Sequence, residues 1–151
     1  MKKTIVVAMS VMLFWSCNTT SEKNAMQSEV QDETAHQHNE NSDIIELNNG
    51  EKWKVNEEMK PFVSKGEELV NTYIQKNGTD YKLLAEEIKS ENSKLIKSCT
   101  MQGKSHDELH KWLLPHLEIV KTLEAETDSA KATHAVTNLQ QSYQDYHKNF
   151  K

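Results

Sequence analysis

Arginine is absent from this chain of 151 residues, and all 18 of its basic residues are lysine. Without guanidinium groups the chain has no planar, bidentate partner for phosphate or guanine, and no basic run contains interleaved aromatic residues. The formal net charge is -5 and the pI is about 5.8, which argues against electrostatic adhesion to anionic membranes. We therefore expect no nucleic-acid partner.

The motifs of common enzyme classes are also missing. The sequence has no nucleophile elbow, no phosphate loop, no paired inward carboxylates and no metal-activated-water motif with a recognisable base. We expect a protein that is not an enzyme. The remaining classes are a carrier of a metal or cofactor and a protein that acts by contact alone.

The apolar run at the N-terminus is too short to cross a membrane as a helix, which needs roughly 20 apolar residues. Residues 4–14 are mostly apolar and follow Lys2 and Lys3. A positive start followed by a short apolar stretch is the pattern of an export signal. We therefore expect these residues to be removed rather than folded.

The signal ends at Phe14-Trp15-Ser16-Cys17, which resembles the lipobox of bacterial lipoproteins. In such proteins the signal is cut before the cysteine, and the cysteine thiol then carries lipid. The resemblance implies a signal peptide over residues 1–16, lipidation of Cys17, and membrane anchoring on the periplasmic side of the bacterial cell envelope. The alternative is an ordinary cleaved signal peptide in which Cys17 has no role.

Cysteine is scarce, with two residues in the chain. If Cys17 carries lipid, Cys99 has no intramolecular partner in an oxidising compartment that usually pairs thiols. The helical period places Cys99 on an inward stripe together with Ile96. Cys99 is then either a small buried hydrophobic residue, which is the commoner case, or the ligand of a metal.

Residues 17–43 contain mainly Asn, Ser, Thr, Gln, Glu and Asp, with almost no large apolar side chain. Such a segment buries too little apolar surface to offset the entropy of ordering. We expect a disordered polar tether that begins at lipidated Cys17. The remaining residues, 44–151, have the length of a single domain.

The domain begins with alternating apolar residues around Asn48-Asn49-Gly50, which predicts a short β-hairpin-like segment with Trp53 turned inward. From Asn56 onward the apolar residues recur at the helical period in four stretches. The predicted helix caps are, in chain order, Asn56, Thr79 or Asp80, a capping box of Ser105 and Glu108, and Thr127 or Asp128.

Four amphipathic helices joined by short connections favour an all-α fold, an antiparallel up-down-up-down four-helix bundle. In that topology the start of helix one, the end of helix two, the start of helix three and the end of helix four share one end. The sulfur and imidazole side chains in these segments are Met59, Cys99, Met101, His106, His110 and His147. Their convergence predicts a metal or haem site at that end.

One interpretation of that end is a soft-metal site. Cys99 would supply a thiolate and Met101 a thioether, while His106 and His110, four residues apart on a helix, would present two imidazoles on one face. Such ligands suit copper(I) or zinc. His106 falls in the first helical turn, where the helix dipole disfavours a protonated ring and so favours a neutral, ligating one. Without a metal, these would be ordinary core or surface residues.

The closing segment of the chain supports a second interpretation. It ends with Tyr146-His147, two further residues, an aromatic residue and a basic terminus. This pattern resembles the end of cytochrome b562, a periplasmic four-helix haem protein. In that family the histidine is one axial haem ligand, and a methionine near the start of the first helix is the other. The resemblance implies haem b bound by Met59 and His147, and a role in electron transfer.

A soft-metal-binding envelope lipoprotein is the leading interpretation. A haem-bearing electron carrier is second, and a lipoprotein that acts only through contact with another envelope protein is third. Leu83 and Leu114 are the exposed apolar residues that would favour the third. His116, which follows Pro115 inside helix three, is predicted to be a core histidine, and His134 to lie on the outer face.

Overall fold

The computed structural model of the chain describes residues 44–151. The predicted signal peptide, the predicted lipidation site Cys17 and the predicted tether up to residue 43 lie outside the described residues. Between residues 44 and 151, no helix is both long enough and apolar enough to cross a membrane.

Four α-helices make up most of the described part, which contains no strand. A short 3-10 turn, Glu57–Met59, precedes the first of them. The helices are α1 (Lys60–Gln75), α2 (Tyr81–Ser98), α3 (Lys104–Ala125) and α4 (Ser129–Asn149). Each helix contacts the next one along the chain, and α1 also contacts α4. The all-α fold predicted from the helical period of the apolar residues is confirmed.

Side chains at the predicted positions cap two of the helices. The Asp80 carboxylate accepts a hydrogen bond from the Leu83 amide at 3.0 Å at the start of α2. Asp128 accepts hydrogen bonds from the amides of Ala130 and Lys131 at the start of α4. Each bond satisfies an amide that has no partner inside its helix, which confirms both predicted caps.

The capping box predicted for α3 is wrong. The helix begins at Lys104, so Ser105 already lies inside its first turn. Gly103 occupies the position before the helix, in the left-handed region at φ 62°, and makes no side-chain cap. Glu108, the other half of the predicted box, is 2% exposed and binds the N-terminal part of the domain. The start of α3 therefore depends on the conformational freedom of glycine rather than on a capping side chain.

One hydrophobic core receives side chains from all four helices. Its largest fully buried residues are Tyr143, Phe150, Met59, Ile88, Leu95, Leu109, Leu123, Leu139, His116 and Val70. Ile96 was predicted to face inward but is 47% exposed, so that prediction is wrong. It follows the buried Leu95, and a step of about 100° along the helix turns its side chain toward solvent.

The N-terminal segment, residues 44–56, lies against the helices without forming a strand. Asn48 and Glu51 exchange two backbone hydrogen bonds, at 2.8 and 3.0 Å, across a tight turn. Trp53 is 8% exposed and turned inward as predicted, and its backbone forms an isolated bridge with Phe150. The wider β-hairpin stays a prediction.

Gly66 allows the side chain of Tyr143 to approach the backbone of α1. A Cβ atom at position 66 would collide with the Tyr143 hydroxyl and would lie 3.0 Å from Cζ of the same ring. Tyr143 is 1% exposed, so its ring is confined by other core residues. The missing side chain at Gly66 is therefore what lets Tyr143 fill this part of the core.

We expect Gly66→Ala to lower the free energy of unfolding by about 1–3 kcal/mol, because overpacking outweighs a gain in helix propensity of about 1 kcal/mol. Urea unfolding of the wild type and the variant measures this difference. In a Tyr143→Phe background the closest colliding atom is gone, so the effect of Gly66→Ala should shrink. An equal effect in both backgrounds would contradict the close approach of Tyr143 to α1.

Candidate functional site

The connection between α2 and α3, residues 99–103, carries two of the predicted metal ligands, and we refer to it as the sulfur loop. α2 ends at Ser98, and Cys99 leaves the helix in an extended conformation with φ -72° and ψ 120°. Cys99 and Met101 both pack, partly buried, against the core. Cys99 is a free thiol in the part of the chain that the structure describes. Both sulfur-bearing side chains thus lie on one short connection.

His106 and His110 lie in the first two turns of α3. Their ring centroids are 4.3 Å apart, and the ring planes make an angle of 56°. His106 is half-buried and His110 is exposed. Desolvation and the neighbouring His106 ring lower the pKa of His110 below its ordinary value, while Asp107 opposes the shift. At neutral pH the His110 ring is therefore kept in the neutral form that binds metals.

The histidine pair is not part of a larger cluster of metal ligands. Throughout residues 44–151, no three side chains among histidine, cysteine, aspartate and glutamate lie near enough together to hold a metal ion. The structure thus brings His106 and His110 together but does not join Cys99 to them. An ion that used all of these ligands would require the sulfur loop to close onto the start of α3.

The two residues implied by the haem resemblance have different surroundings. Met59, at the end of the 3-10 turn, is 0% exposed and belongs to the core. The His147 side chain is 50% exposed, and its Nε2 atom lies 2.8 Å from a carboxylate oxygen of Glu67 in α1. The Tyr146 ring packs edge-to-face against His147, with centroids 5.4 Å apart. The ligating nitrogen of His147 therefore already has a carboxylate partner.

Asn56 has a role that its place in the sequence did not indicate. It precedes the 3-10 turn but makes no side-chain cap hydrogen bond, so the predicted cap is wrong. Its Oδ1 atom instead accepts a hydrogen bond from the Thr100 amide at 2.8 Å. Thr100 lies between Cys99 and Met101 in the sulfur loop. Because the bonded residues are 44 positions apart, no local sequence pattern could have indicated this contact.

Glu108 attaches the N-terminal segment to the first turns of α3. Its buried carboxylate accepts hydrogen bonds from the Glu46 amide at 2.8 Å and from Lys111 Nζ at 2.9 Å. Lys104 Nζ also contacts the Glu46 carboxylate at 2.7 Å. The hydrogen bond and charge of Lys104, with a smaller effect of Lys111, lower the pKa of Glu46. The turns that carry the histidine pair are therefore attached to the rest of the domain by polar contacts.

His116 is a core histidine, as predicted. It is 0% exposed, its Nδ1 atom lies 3.0 Å from the Ser142 hydroxyl, and its ring stacks on Trp112 with centroids 5.0 Å apart. Burial lowers its pKa to about 4, so the ring is neutral at physiological pH. His134 is exposed on α4, again as predicted.

Two surface grooves of the described residues are lined by residues other than the predicted ligands. Two grooves, of about 540 and 370 Å³, run along α3 and α4 and share Pro115, Ile119 and Asn138. Neither groove is lined by a predicted metal or haem ligand. Leu83 and Leu114 are 50% and 49% exposed, so both are available for contact with another protein.

Comparisons with known proteins do not assign this chain to a family. No family model, curated protein or solved structure matches it. The resemblances to the lipobox and to cytochrome b562 stay predictions from the residues that suggested them.

We expect acid to destabilise the domain through His116, whose pKa is about 4 when folded and 6.5 in its ordinary state. As the pH falls through this interval the unfolded chain binds the proton and the folded chain does not, so the free energy of unfolding falls by about 3 kcal/mol. Above the ordinary pKa the contribution to stability is complete. Urea unfolding at a series of pH values from neutral to mildly acidic measures the decline.

Two variants separate His116 from other titrating groups. His116→Gln removes the titration, so its stability should depend less steeply on pH even if the variant is less stable at every pH. His134→Gln alters an exposed histidine and should retain the steep decline. If His116→Gln declined as steeply as the wild type, carboxyl groups rather than His116 would be responsible.

Proposed function

We propose that this chain is a lipid-anchored protein of the bacterial cell envelope whose helical domain binds a soft transition metal ion of the copper(I) type. The proposed ligands are Cys99, Met101, His106 and His110. The observation that carries the proposal is the histidine pair, whose ring centroids are 4.3 Å apart and in which the pKa of His110 is lowered. Two adjacent imidazoles, one kept neutral, are suited to sharing a metal ion.

The proposal includes the antiparallel up-down-up-down arrangement of the helices. Three contacts of the N-terminal segment, which leads directly into α1, support it. Asn56 bonds to Thr100 after the end of α2, Trp53 bonds to Asn149 at the end of α4, and the segment bonds to Glu108 near the start of α3. These are the helix ends that such a topology brings together.

The donor chemistry favours a soft ion. Thiolate and thioether sulfur select copper(I), whereas zinc would use Cys99 and the imidazoles and leave Met101 without a role. The thiol of Cys99 must lose its proton to bind either ion, and the imidazoles must be neutral. Metal affinity should therefore rise with pH across the range in which these groups deprotonate. Closing the sulfur loop onto α3 would complete the ligand set.

The cellular role that suits such a site is metal handling in the envelope. The lipobox-like segment ending at Cys17 supports lipidation of that residue. The lipid would anchor the protein in a membrane and hold the domain at the membrane surface. The absence of catalytic motifs from the sequence supports a protein that holds or transfers an ion rather than one that carries out a reaction with it.

Haem b bound by Met59 and His147 is the alternative. It has less support, because His147 would have to exchange Glu67 for iron and Met59 is already fully packed in the core. A lipoprotein that acts only by contact is supported by exposed apolar side chains such as Leu83 and Leu114.

Titration with copper(I) under anaerobic, reducing conditions, in competition with a chromogenic chelator, tests the proposal. The protein carries Cys17→Ser so that Cys99 is its single thiol. We expect uptake of copper(I) with an affinity that drops by at least about 10-fold in Cys99→Ser and in His106→Ala, since loss of even an outer-shell partner has effects of this size. His134→Ala is the matched control and should bind as the parent does.

A parallel titration with haem distinguishes the alternatives. A Soret band that is lost in His147→Ala but retained in Cys99→Ser would select haem. If the protein took up neither copper(I) nor haem, the metal proposal would fail and the contact function would remain.

A further inference from the structure

The dipeptide Asn-Gly occurs at two places in the chain, Asn49-Gly50 and Asn77-Gly78. Both asparagines are exposed, and both have a positive φ, 53° at Asn49 and 49° at Asn77. In this dipeptide the side-chain amide of asparagine can react with the backbone nitrogen of glycine, because glycine has no side chain to block the approach. The two sites carry the same reactive groups, so a difference in reactivity between them depends on their surroundings.

Asn49 and Gly50 form the exposed tip of the turn in the N-terminal segment. The turn is closed by the two backbone hydrogen bonds between Asn48 and Glu51, at 2.8 and 3.0 Å. Within residues 44–151 the Gly50 amide donates no backbone hydrogen bond, and a Cβ atom added at Gly50 would meet no other atom within 4 Å. Exposed regions with few packed contacts open at low free energy. The nitrogen next to Asn49 is therefore accessible, and the turn that carries it opens easily.

Asn77 and Gly78 are held by the end of α1. The Gly78 amide donates to the Tyr73 carbonyl at 2.8 Å, and the Asn77 amide donates to the Ile74 carbonyl at 3.1 Å. These two bonds are those of a Schellman motif, which satisfies the last carbonyls of a helix. A Cβ atom added at Gly78 would collide with the Tyr73 ring, so that ring covers the glycine. The nitrogen next to Asn77 is therefore both hydrogen-bonded and covered.

We propose that Asn49 is a site of spontaneous deamidation, and that Asn77 is protected from the same reaction by the end of α1. The inference does not depend on metal binding. It rests on the contrast between an accessible glycine nitrogen at the tip of a turn and a bonded, covered one at a helix end.

The reaction at Asn49 takes two steps. The Gly50 nitrogen loses its proton and attacks Cγ of Asn49; a C–N bond forms, and the side-chain nitrogen takes up a proton and leaves as ammonia. Water then opens the five-membered imide at either of its carbonyl groups, which gives aspartate or isoaspartate. Water is consumed and ammonia is released, with no oxidant or reductant. Because the attacking nitrogen must lose its proton, the rate rises with pH.

The product alters the turn that carries Asn49. Either product adds a carboxylate close to that of Glu51, which lies 2.8 Å from Lys151 Nζ. Isoaspartate also lengthens the main chain by a methylene, so the spacing between Asn48 and Glu51 no longer matches a two-residue turn. The backbone bonds of Trp53 to the C-terminal residues lie outside the turn. The modification therefore changes the turn and leaves the attachment at Trp53 in place.

Peptide mass spectrometry of the full chain carrying Cys17→Ser, incubated at mildly alkaline pH, tests the inference. A glutamate-specific protease used at mildly acidic pH limits deamidation during digestion and separates residues 47–51 from residues 69–86. We expect Asn49 to deamidate at least about 10-fold faster than Asn77, because the exposed turn opens more often than the helix end. Fragmentation of the peptide distinguishes Asn49 from Asn48. Equal rates at Asn49 and Asn77 would overturn the inference.

The same measurement in guanidinium chloride removes the folded surroundings. Asn49 and Asn77 should then deamidate at rates within about threefold of each other, since the unfolded chain lacks the turn and the helix end. If Asn77 stayed as slow in the unfolded chain as in the folded one, the neighbouring sequence would be the cause of its protection. That outcome would contradict the role given to α1.

Two matched variants assign the reactive residue. Asn49→Gln lengthens the side chain by a methylene, so the five-membered imide no longer forms, and Asn77→Gln makes the same change at the protected site. Circular dichroism checks that both variants fold as the parent does. After incubation, an isoaspartate-specific methyltransferase should label residues 47–51 in the parent and in Asn77→Gln, but not in Asn49→Gln. Labelling of these residues in Asn49→Gln would place the reaction at Asn48 and show the assignment to be wrong.

Discussion

The backbone of Trp53 is hydrogen-bonded on both sides to the C-terminal residues of the chain. Its amide donates to the Asn149 carbonyl and its carbonyl accepts from the Lys151 amide, each at 2.8 Å. Its buried indole donates to the Glu46 carbonyl at the same time. These bonds attach the N-terminal segment to the end of α4. The contacts that this segment makes with α3 and with the sulfur loop depend on that attachment.

The core and the candidate site are separate regions of the domain. His116 and Tyr143 are buried among aromatic side chains, where their rings pack at a centroid distance of 4.9 Å. The sulfur loop and His110, in contrast, lie at the surface or only partly below it. Regions with fewer buried contacts open at lower free energy than the core.

Helix caps could be predicted where the bonded groups are close in sequence, and could not be predicted where a distant segment supplies the partner. The caps of α2 and α4 were each predicted to within two neighbouring residues, and the structure selects Asp80 and Asp128. Such predictions succeed because a capping side chain and the amides it binds lie within one helical turn. The cap at Asn56 and the box at Ser105 failed, although the same residue types were involved. Asn56 finds a partner in a distant loop, and the position before α3 is occupied by Gly103, two residues earlier than the box requires.

The sequence alone determined the number of helices, most of the inward stripes and the pairing of His106 with His110. All of these depend on spacing along one helix, where neighbours three or four residues apart share a face. Only the tertiary structure decided that Asn56 binds Thr100 and that Glu67 binds His147. A polar side chain bonds to whichever group the folded chain brings within reach, and that group is set by the packing of segments far apart in sequence.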